Sequence, residues 1–281
     1  MPELPEVETI ANGVDRRVRG DSIVSAWFSS YREPFKTPVD EMAAALPGLR
    51  IARVRRVGKH IVADLEATGP ARGARAKARE EQQAAGQLLV HLGMTGRLLV
   101  TAPEVPWAPH THTVLGLASG RELRFVDPRR FGRIGLVAGF TGPGSEPLTI
   151  SKDDFAALFR GRKLSIKSAL LNQKLLHGVG NIYADESLAR AGIRPTRAAG
   201  RLTREQLDRL HKALRLVLQQ AIRAGGSSVS DYVDADGEKG FFQIRHRVYQ
   251  RTGEPCPVCG TPIRRVVLGG RSTHFCPSCQ K

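Results

Sequence analysis

Met1-Pro2-Glu3-Leu4-Pro5-Glu6-Val7-Glu8 opens the chain, and the interpretation of the whole sequence starts from this stretch. Removal of the initiator methionine would leave Pro2 with a free secondary amine. An α-amino group titrates near pH ~8, against ~10.4 for lysine, so a useful fraction is deprotonated near neutral pH. Such an amine can form a Schiff base with a sugar aldehyde carbon. Pro2 is therefore a candidate nucleophile, with Glu3 beside it.

A helix is predicted to begin within the same stretch. Pro5 suits a first helical turn, and apolar residues follow at helical spacing, namely Val7, Ile10, Ala11, Val14 and Val18. Glu3 and Glu6 then lie near a helix N-terminus, where the dipole stabilises carboxylates. They are candidate catalytic acids, although acids in a first turn are also ordinary features of surface helices.

Length and charge limit the possible classes of protein. A chain of 281 residues can hold two domains, and its net charge of +16 suits a polyanionic partner. No apolar run approaches the ~18 residues of a membrane span. The first twenty residues carry acids and prolines where a secretory signal would be basic and then apolar. A cytoplasmic protein without a membrane partner is expected.

Short apolar runs broken by glycines predict β-strands between Ile51 and Val137, arranged as a sandwich or barrel. The stretch from Glu66 to Gly86 interrupts them, since Ala, Arg, Glu and Gln dominate it. We interpret it as a surface insertion, either a mobile loop or a short exposed helix.

Helical periodicity replaces the strand pattern after a Gly- and Pro-rich linker at Thr141–Pro147. Ser151 with Asp154 and Thr203 with Gln206 resemble capping boxes. A long amphipathic helix is predicted after Thr203, ending at Gly225-Gly226. Between these helices, the Gly178-Val179-Gly180 turn is of a kind that can present backbone N–H groups to phosphate.

All four cysteines lie near the C-terminus, as Cys256-x-x-Cys259 and Cys276-x-x-Cys279. Two such pairs are typical of a zinc site with four thiolate ligands. Sulfur then fills every tetrahedral position, so one structural zinc ion per chain is expected, with no position for a catalytic water. Because zinc ribbons occur in many proteins, the site alone does not define a function.

The opening octapeptide, the run Gly178-Val-Gly-Asn-Ile-Tyr183 and the paired cysteines together resemble the formamidopyrimidine-DNA glycosylases. These bacterial enzymes excise oxidised purines and cut the abasic strand. The related endonuclease VIII enzymes usually carry Gly where this chain has Leu4, which favours the oxidised-purine branch. The resemblance extends along the whole chain except the 66–86 insertion.

The resemblance implies roles for five catalytic residues. Pro2 would attack C1′ of the sugar, and Glu3 would protonate the ring oxygen or the leaving group. Glu6 would stabilise positive charge, and Lys59 would transfer protons during elimination. Arg271, five residues before Cys276, would grip phosphate at the lesion and assist the second strand cleavage.

The resemblance also implies DNA contacts. Met94, Arg129 and Phe131 would fill the void left by the extruded base, with Arg129 reading the orphaned cytosine; otherwise Met94 and Phe131 would be expected in a core. Further contacts are expected from His110, Arg162, Lys163, Lys167, Asn181 and Tyr183, and Lys163 replaces Arg162 if the alignment slips by one residue. Ser227 and Ser228 would belong to a loop, within Gly225–Gly240, that folds over the flipped base.

The expected fold is α+β, with an N-terminal β-sandwich and flanking helices, a helical helix–two-turn–helix domain and a zinc-ribbon hairpin. We predict a catalytic domain at 1–140, a linker at 141–150, a helical domain at 151–240 and a zinc finger at 241–281. A monomer would bind duplex DNA containing oxidised purines or abasic sites in a basic cleft between the domains, with no dissolved cofactor. Two alternatives stay open: an endonuclease VIII-like enzyme for oxidised pyrimidines, and a non-catalytic zinc-ribbon DNA-binding protein.

Overall fold

The computed structural model describes residues 1–67, 84–227 and 240–281, which form two compact units. The first unit comprises Met1–Pro2, Glu6–Thr141 and Ser227–Gly240. The second comprises Glu3–Pro5, Gly142–Gly226 and Phe241–Lys281. The opening stretch is divided: Glu3 belongs to the second unit and Glu6 to the first.

In its described residues the first unit contains two helices and eight strands: α1 (Leu4–Val18, whose first two residues belong to the second unit), β1 (Ile23–Phe28), α2 (Val39–Ala45), β2 (Leu49–Val57), β3 (His60–Ala67), β4 (Ala84–His91), β5 (Arg97–Thr101), β6 (Thr111–Leu117), β7 (Glu122–Val126) and β8 (Arg133–Val137). The strands form two antiparallel four-stranded sheets, in the orders β1-β6-β7-β5 and β2-β3-β4-β8.

One apolar core lies between these sheets, because alternate residues of each strand point inward. Ile61 and Leu65 of β3 and Leu115 of β6 belong to it, together with Val7 and Val14 of α1. The predicted sandwich with flanking helices is therefore confirmed.

The predicted insertion is narrower than the sequence suggested. β3 continues through Ala67 and β4 begins at Ala84, with Glu66 paired to Ala84. The first two and last three residues of the 66–86 stretch are therefore strand residues. Pairing with a neighbouring strand outweighs their weak strand propensity. Residues 68–83 lie outside the described part of the chain.

Four helices and a hairpin build the rest of the second unit: α3 (Lys152–Phe159), α4 (Ile166–Leu171), α5 (Asn181–Ala191), α6 (Arg204–Arg223), β9 (Arg264–Leu268) and β10 (Arg271–Phe275). Short 3₁₀ helices lie at Ala199–Arg201 and Phe242–Arg245. Thr203 and Gln206 form the predicted capping box, and Ser151 Oγ accepts the Asp154 N–H. The expected α+β architecture is thus confirmed, and no helix in the described ranges could cross a membrane.

Candidate active site

The Glu3 carboxylate lies at the N-terminus of helix α5. Its oxygens accept backbone N–H groups from Ile182 at 3.1 Å and Tyr183 at 3.5 Å. The first-turn N–H groups of a helix have no acceptor within the helix itself, and the helix dipole also favours an anion there. The first turn of α5, which follows the glycine turn, thus directs these N–H groups to Glu3, where the sequence suggested a phosphate.

Glycine is required beside this carboxylate. A Cβ on Gly180 would collide with the Glu3 carboxyl group, so no other residue leaves room for it. The Leu4 N–H donates to the Gly178 carbonyl at 3.0 Å, which fixes the backbone next to Glu3. The six-residue run from Gly178 to Tyr183 therefore packs closely against Glu3 and Leu4.

Glu6 has a different partner. It is buried in the first turn of α1, and its carboxylate accepts the Ser227 N–H at 2.8 Å. Ser227 belongs to the predicted flipped-base loop, whereas Ser228 of the same loop lies outside the described residues. Glu6 therefore binds the backbone of that loop at Ser227.

Pro2 is buried beside an exposed Met1. Lys59 lies in the two-residue turn between β2 and β3, next to Gly58 with φ of +61°. The pKa of His91 is lowered to about 4, mainly because the side chain is buried. The neighbouring charges of His60, Lys59 and Arg133 lower it further. His91 is therefore neutral at physiological pH.

Two adjoining turns of the first unit carry the predicted void-filling residues. The first turn, between β4 and β5, carries Met94, and the second, between β7 and β8, carries Arg129 and Phe131. Met94 is 43% exposed and Phe131 is 50% exposed, so neither belongs to the core. The Arg129 guanidinium lies over the Phe131 ring, 4.7 Å from its centroid. A cation stacked on an aromatic ring forms a flat, partly apolar tip suited to a gap between bases.

Asp127 organises both turns. This buried carboxylate accepts the Thr95 hydroxyl at 2.6 Å, the Arg129 N–H at 3.3 Å and the Gly132 N–H at 2.7 Å. Gly93 fits against the second turn, where a Cβ would lie 2.5 Å from the Gly132 nitrogen. The side chains of Met94 and Phe131 are therefore exposed, whereas Asp127 and Gly132, which hold the turns in place, are buried and hydrogen-bonded.

The predicted phosphate contacts divide into exposed and buried residues. His110, Arg162 and Lys163 are exposed, His110 having a left-handed φ of +67°. Tyr183 and Lys167 are both 0% exposed. Direct contact of the two buried side chains with DNA stays a prediction.

Lys167 faces protein groups. Its Nζ lies 2.7 Å from Asp185 Oδ1 and donates to the Ser272 carbonyl at 2.8 Å. Asn181 Nδ2 donates to the same carbonyl at 3.0 Å. Arg271, the predicted phosphate-gripping residue, directly precedes Ser272 and is exposed at the start of β10.

The four cysteines form a cluster whose sulfur atoms all lie within 4.8 Å of one another. Cys256 and Cys279 sulfurs are 4.0 Å apart, and those of Cys259 and Cys276 are 3.5 Å apart. Zinc–sulfur bonds of ~2.3 Å in a tetrahedron imply sulfur separations of about 3.8 Å. The cluster therefore fits a structural zinc ion.

Sequence reasoning missed three supporting residues: His91, Asp127 and Asp185. Asp185 and its neighbour Glu186 are both buried, which is rare for acids without partners. An adjacent pair of acids between apolar Tyr183 and Leu188 of one helix was the available indication.

Comparisons with known proteins cover nearly the whole chain. Residues 1–134 match the family described as Formamidopyrimidine-DNA glycosylase N-terminal domain. Residues 142–233 match the Formamidopyrimidine-DNA glycosylase H2TH domain, and residues 253–281 match the zinc finger found in FPG and IleRS.

Individual relatives agree. The formamidopyrimidine-DNA glycosylase of Solibacter usitatus is 48% identical over 285 residues, with both chains fully covered. The MutM (FPG) protein of Thermus thermophilus has a TM-score of 0.83 at 39% identity, covering 99% of this chain and 98% of that one. A Lactococcus lactis FPG mutant, solved with Fapy-dG containing DNA, has a TM-score of 0.86 at 31% identity, with both chains fully covered. The chain therefore belongs to the formamidopyrimidine-DNA glycosylase family.

Proposed function

We propose that this protein is a bifunctional DNA repair enzyme that excises oxidised purines, such as 8-oxoguanine and formamidopyrimidines, and then cleaves the abasic strand. The observation that carries the proposal is the placement of Glu3. Helix α5 holds this carboxylate immediately beside Pro2, in a chain matched to the family from end to end. A protein that only bound DNA would need no such acid beside a terminal amine.

In the proposed glycosylase step, the Pro2 nitrogen forms a bond to C1′ while the damaged base leaves with the electron pair of the glycosidic bond. Glu3 supplies a proton to the ring oxygen or the leaving base. The Pro2 nitrogen then loses its proton, and the C1′–O4′ bond of the sugar ring breaks with its electron pair going to the oxygen. The product is an iminium ion, which acts as an electron sink. Glu6, held at Ser227, stabilises positive charge near the site.

Elimination then follows at both flanking phosphates. Loss of a proton next to the iminium expels the 3′ phosphate, and a second proton loss expels the 5′ phosphate, each leaving with its C–O electron pair. Lys59 moves protons in these steps, and the Arg271 cation balances charge on the leaving phosphate. The exposure of Arg271 at the start of β10 supports this role.

DNA binding is assigned to charged and void-filling side chains. Met94, Arg129 and Phe131 fill the gap, and His110, Arg162, Lys163 and Asn181 bind the backbone, with Ser227 and Ser228 near the flipped base. A net charge of +16 should make affinity depend steeply on salt through counterion release. Several phosphate contacts imply a log–log slope of about −4 or steeper. A nearly flat titration would contradict this arrangement.

The structural zinc ion, held by the four cysteines, supports the hairpin that carries Arg271. We further propose that the protein acts as a cytoplasmic monomer. The division into parts at 1–140, 151–240 and 241–281, with a linker at 141–150, is likewise our proposal.

A panel of duplexes tests the substrate class. Equal concentrations of duplexes carrying 8-oxoguanine, a formamidopyrimidine, an oxidised pyrimidine or no lesion would be incubated with the protein, with and without borohydride. We expect covalent trapping and doubly eliminated strand breaks chiefly with the oxidised purines. Preference for the oxidised pyrimidine would favour the endonuclease VIII-like alternative, and binding without trapping would favour the non-catalytic one.

A further inference from the structure

Ser272, the residue next to Arg271, is held from several directions. Its carbonyl accepts Lys167 Nζ at 2.8 Å and Asn181 Nδ2 at 3.0 Å. Its hydroxyl accepts the Arg265 guanidinium at 2.8 and 3.1 Å. A residue with this many partners has little freedom, and it restricts the backbone of its neighbour.

Asp185 holds the same strand at a second point. One carboxylate oxygen pairs with Lys167, and the other accepts the His274 N–H at 2.8 Å and lies 3.3 Å from His274 Nδ1. Thr273, between the two held residues, is fully buried. Residues 272–274 of β10 are thus attached to helices α4 and α5 through one carboxylate and its cation.

The same helix also holds Glu3. The Glu3 carboxylate is bonded at the first turn of α5, and Asp185 lies three residues beyond Ile182, or about 4.5 Å along the helix axis. Burial lowers the pKa of Lys167, with Asp185 and Glu3 acting in the opposite direction and Arg271 adding to the lowering. The charges of Glu3, Asp185 and Arg271 therefore all act on one buried ammonium.

We propose that Lys167 and Asp185 are positioning residues for the lyase reaction: through residues 272–274 they place the Arg271 guanidinium relative to Glu3, with α5 as the common support. The inference rests on the proposed function and deepens it. This inference replaces the direct Lys167–phosphate contact that the resemblance implies: Lys167 acts on the reaction through Arg271. A displacement of about 1 Å at a reacting centre can cost ~100-fold in rate, so a loosened strand should be visible in the chemistry.

The test uses a duplex with a ready-made abasic site and measures the ratio of doubly to singly eliminated product. Arg271→Ala supplies the reference loss. Asp185→Asn should lower the ratio by about tenfold or more. Because it leaves Lys167 without its partner and could unfold the protein, the paired swap Lys167→Met/Asp185→Leu is the second variant, since apolar replacements of buried ion pairs often fold well.

Glu186→Gln is the matched control. Glu186 is the next residue on α5 and equally buried, but its carboxylate accepts the N–H groups of Arg247, Val248 and Tyr249. We expect it to lower stability and the borohydride-trapped fraction while keeping the product ratio within about twofold, because a smaller active fraction scales both products alike. The double variant Asp185→Asn/Arg271→Ala should show the same ratio as Arg271→Ala alone, since the first residue acts through the second.

Three results would overturn the inference while leaving the proposed function intact. The first is a wild-type product ratio in a folded, trap-competent Asp185→Asn or paired-swap variant. The second is an additive loss in the double variant. The third is a salt slope reduced by about one in the paired swap, which would show a direct Lys167–phosphate contact. Failure of the wild-type protein to trap or cut any lesion would instead reject the proposed function.

Discussion

Asp127 in the first unit and Asp185 in the second are both buried, and each supports residues predicted to meet DNA, but their donors differ. Asp127 binds neutral groups: the Thr95 hydroxyl and the backbone N–H groups of Arg129 and Gly132. Asp185 is paired with the ammonium of Lys167. The Asp127 carboxylate thus stabilises turns through neutral donors, whereas the Asp185 carboxylate balances the buried charge of Lys167.

The difference predicts how each region fails. An amide in place of Asp127 keeps one acceptor oxygen but presents an NH2 group where the other oxygen was, so a neutral donor is left unpaired. A buried ammonium that loses its counter-ion remains charged in a low-dielectric setting, which costs much more. The surroundings of Asp185 should therefore tolerate substitution of the carboxylate less well than the turns around Asp127.

Loss of the metal should produce the largest effect and should be confined to the second unit. Cys276→Ser removes one of four ligands, and structural zinc contributes ~10–16 kcal/mol in zinc-finger peptides. We expect about one zinc per chain in the wild type, and loss of metal and DNA binding in the variant. Hydrogen exchange should show the sandwich around Asp127 still protected. Full activity after metal removal confirmed by elemental analysis would contradict a structural role for zinc.

Substitution of the two aspartates compares them directly. Asp185→Asn should cost about 3–5 kcal/mol because Lys167 loses its partner, and Asp127→Asn about 1–3 kcal/mol. Urea unfolding of both variants would measure the difference. Asp153→Asn, which removes an exposed partner of Arg204, is the control and should cost less than about 1 kcal/mol. If Asp127→Asn lowered the free energy of unfolding as much as Asp185→Asn or more, the proposed difference between the two carboxylates would be wrong.

Acid should weaken the first unit through His91, beside the Met94 turn. His91 Nδ1 accepts the Gly93 N–H at 3.1 Å, and its pKa is lowered from 6.5 to about 4. Between those values the unfolded chain binds a proton that the folded chain refuses, so stability falls as pH drops from 6.5 towards 4. The loss should total about 3 kcal/mol, from roughly 2.5 pKa units.

Urea unfolding between pH 7.5 and 4.5 would test this titration. The His91→Gln variant keeps an acceptor for the Gly93 N–H but does not titrate, so its stability should fall less over the same range. Identical pH dependence in the two proteins would show that other groups cause the loss.

The smallest effect is expected at the connection between β3 and β4. Replacing residues 68–83 with Asn-Gly leaves Ala67-Asn-Gly between the paired residues Glu66 and Ala84, and three-residue hairpin loops are common. Excision should stay within about twofold of the wild type, and neither aspartate should be affected. A collapse of turnover in a folded variant would assign the segment a function.

Local patterns explain what the sequence could predict. The strand runs, the capping box at Thr203 and the paired cysteines each depend on residues close together in the chain, and the structure confirms them. The boundaries of the 66–86 insertion were wrong at both ends because strand pairing, a long-range effect, decides where a strand stops.

The supports of the site could not be predicted because they join distant residues. Glu3 binds the amide of Ile182, 179 positions away, and Lys167 meets Ser272 across 105 positions. The sequence placed Glu3 near the N-terminus of α1, but the Glu3 carboxylate is bonded to the N-terminus of α5. An Asp in a helical stretch is usually a surface residue, and the adjacent acids Asp185 and Glu186 among apolar neighbours were the only local indication of burial.

Chemistry at Pro2 is the central claim, and blocking its amine tests it most directly. An extra residue that cannot be removed converts the amine into an unreactive amide with little other change, whereas Pro2→Gly keeps a terminal amine and is ambiguous. The blocked protein should bind lesion DNA but form no borohydride adduct and cut no strand. Mass spectrometry of the wild-type adduct should place the sugar on Pro2. A blocked protein that still crosslinks, with the sugar on Lys59, would contradict the assignment of Pro2 as nucleophile.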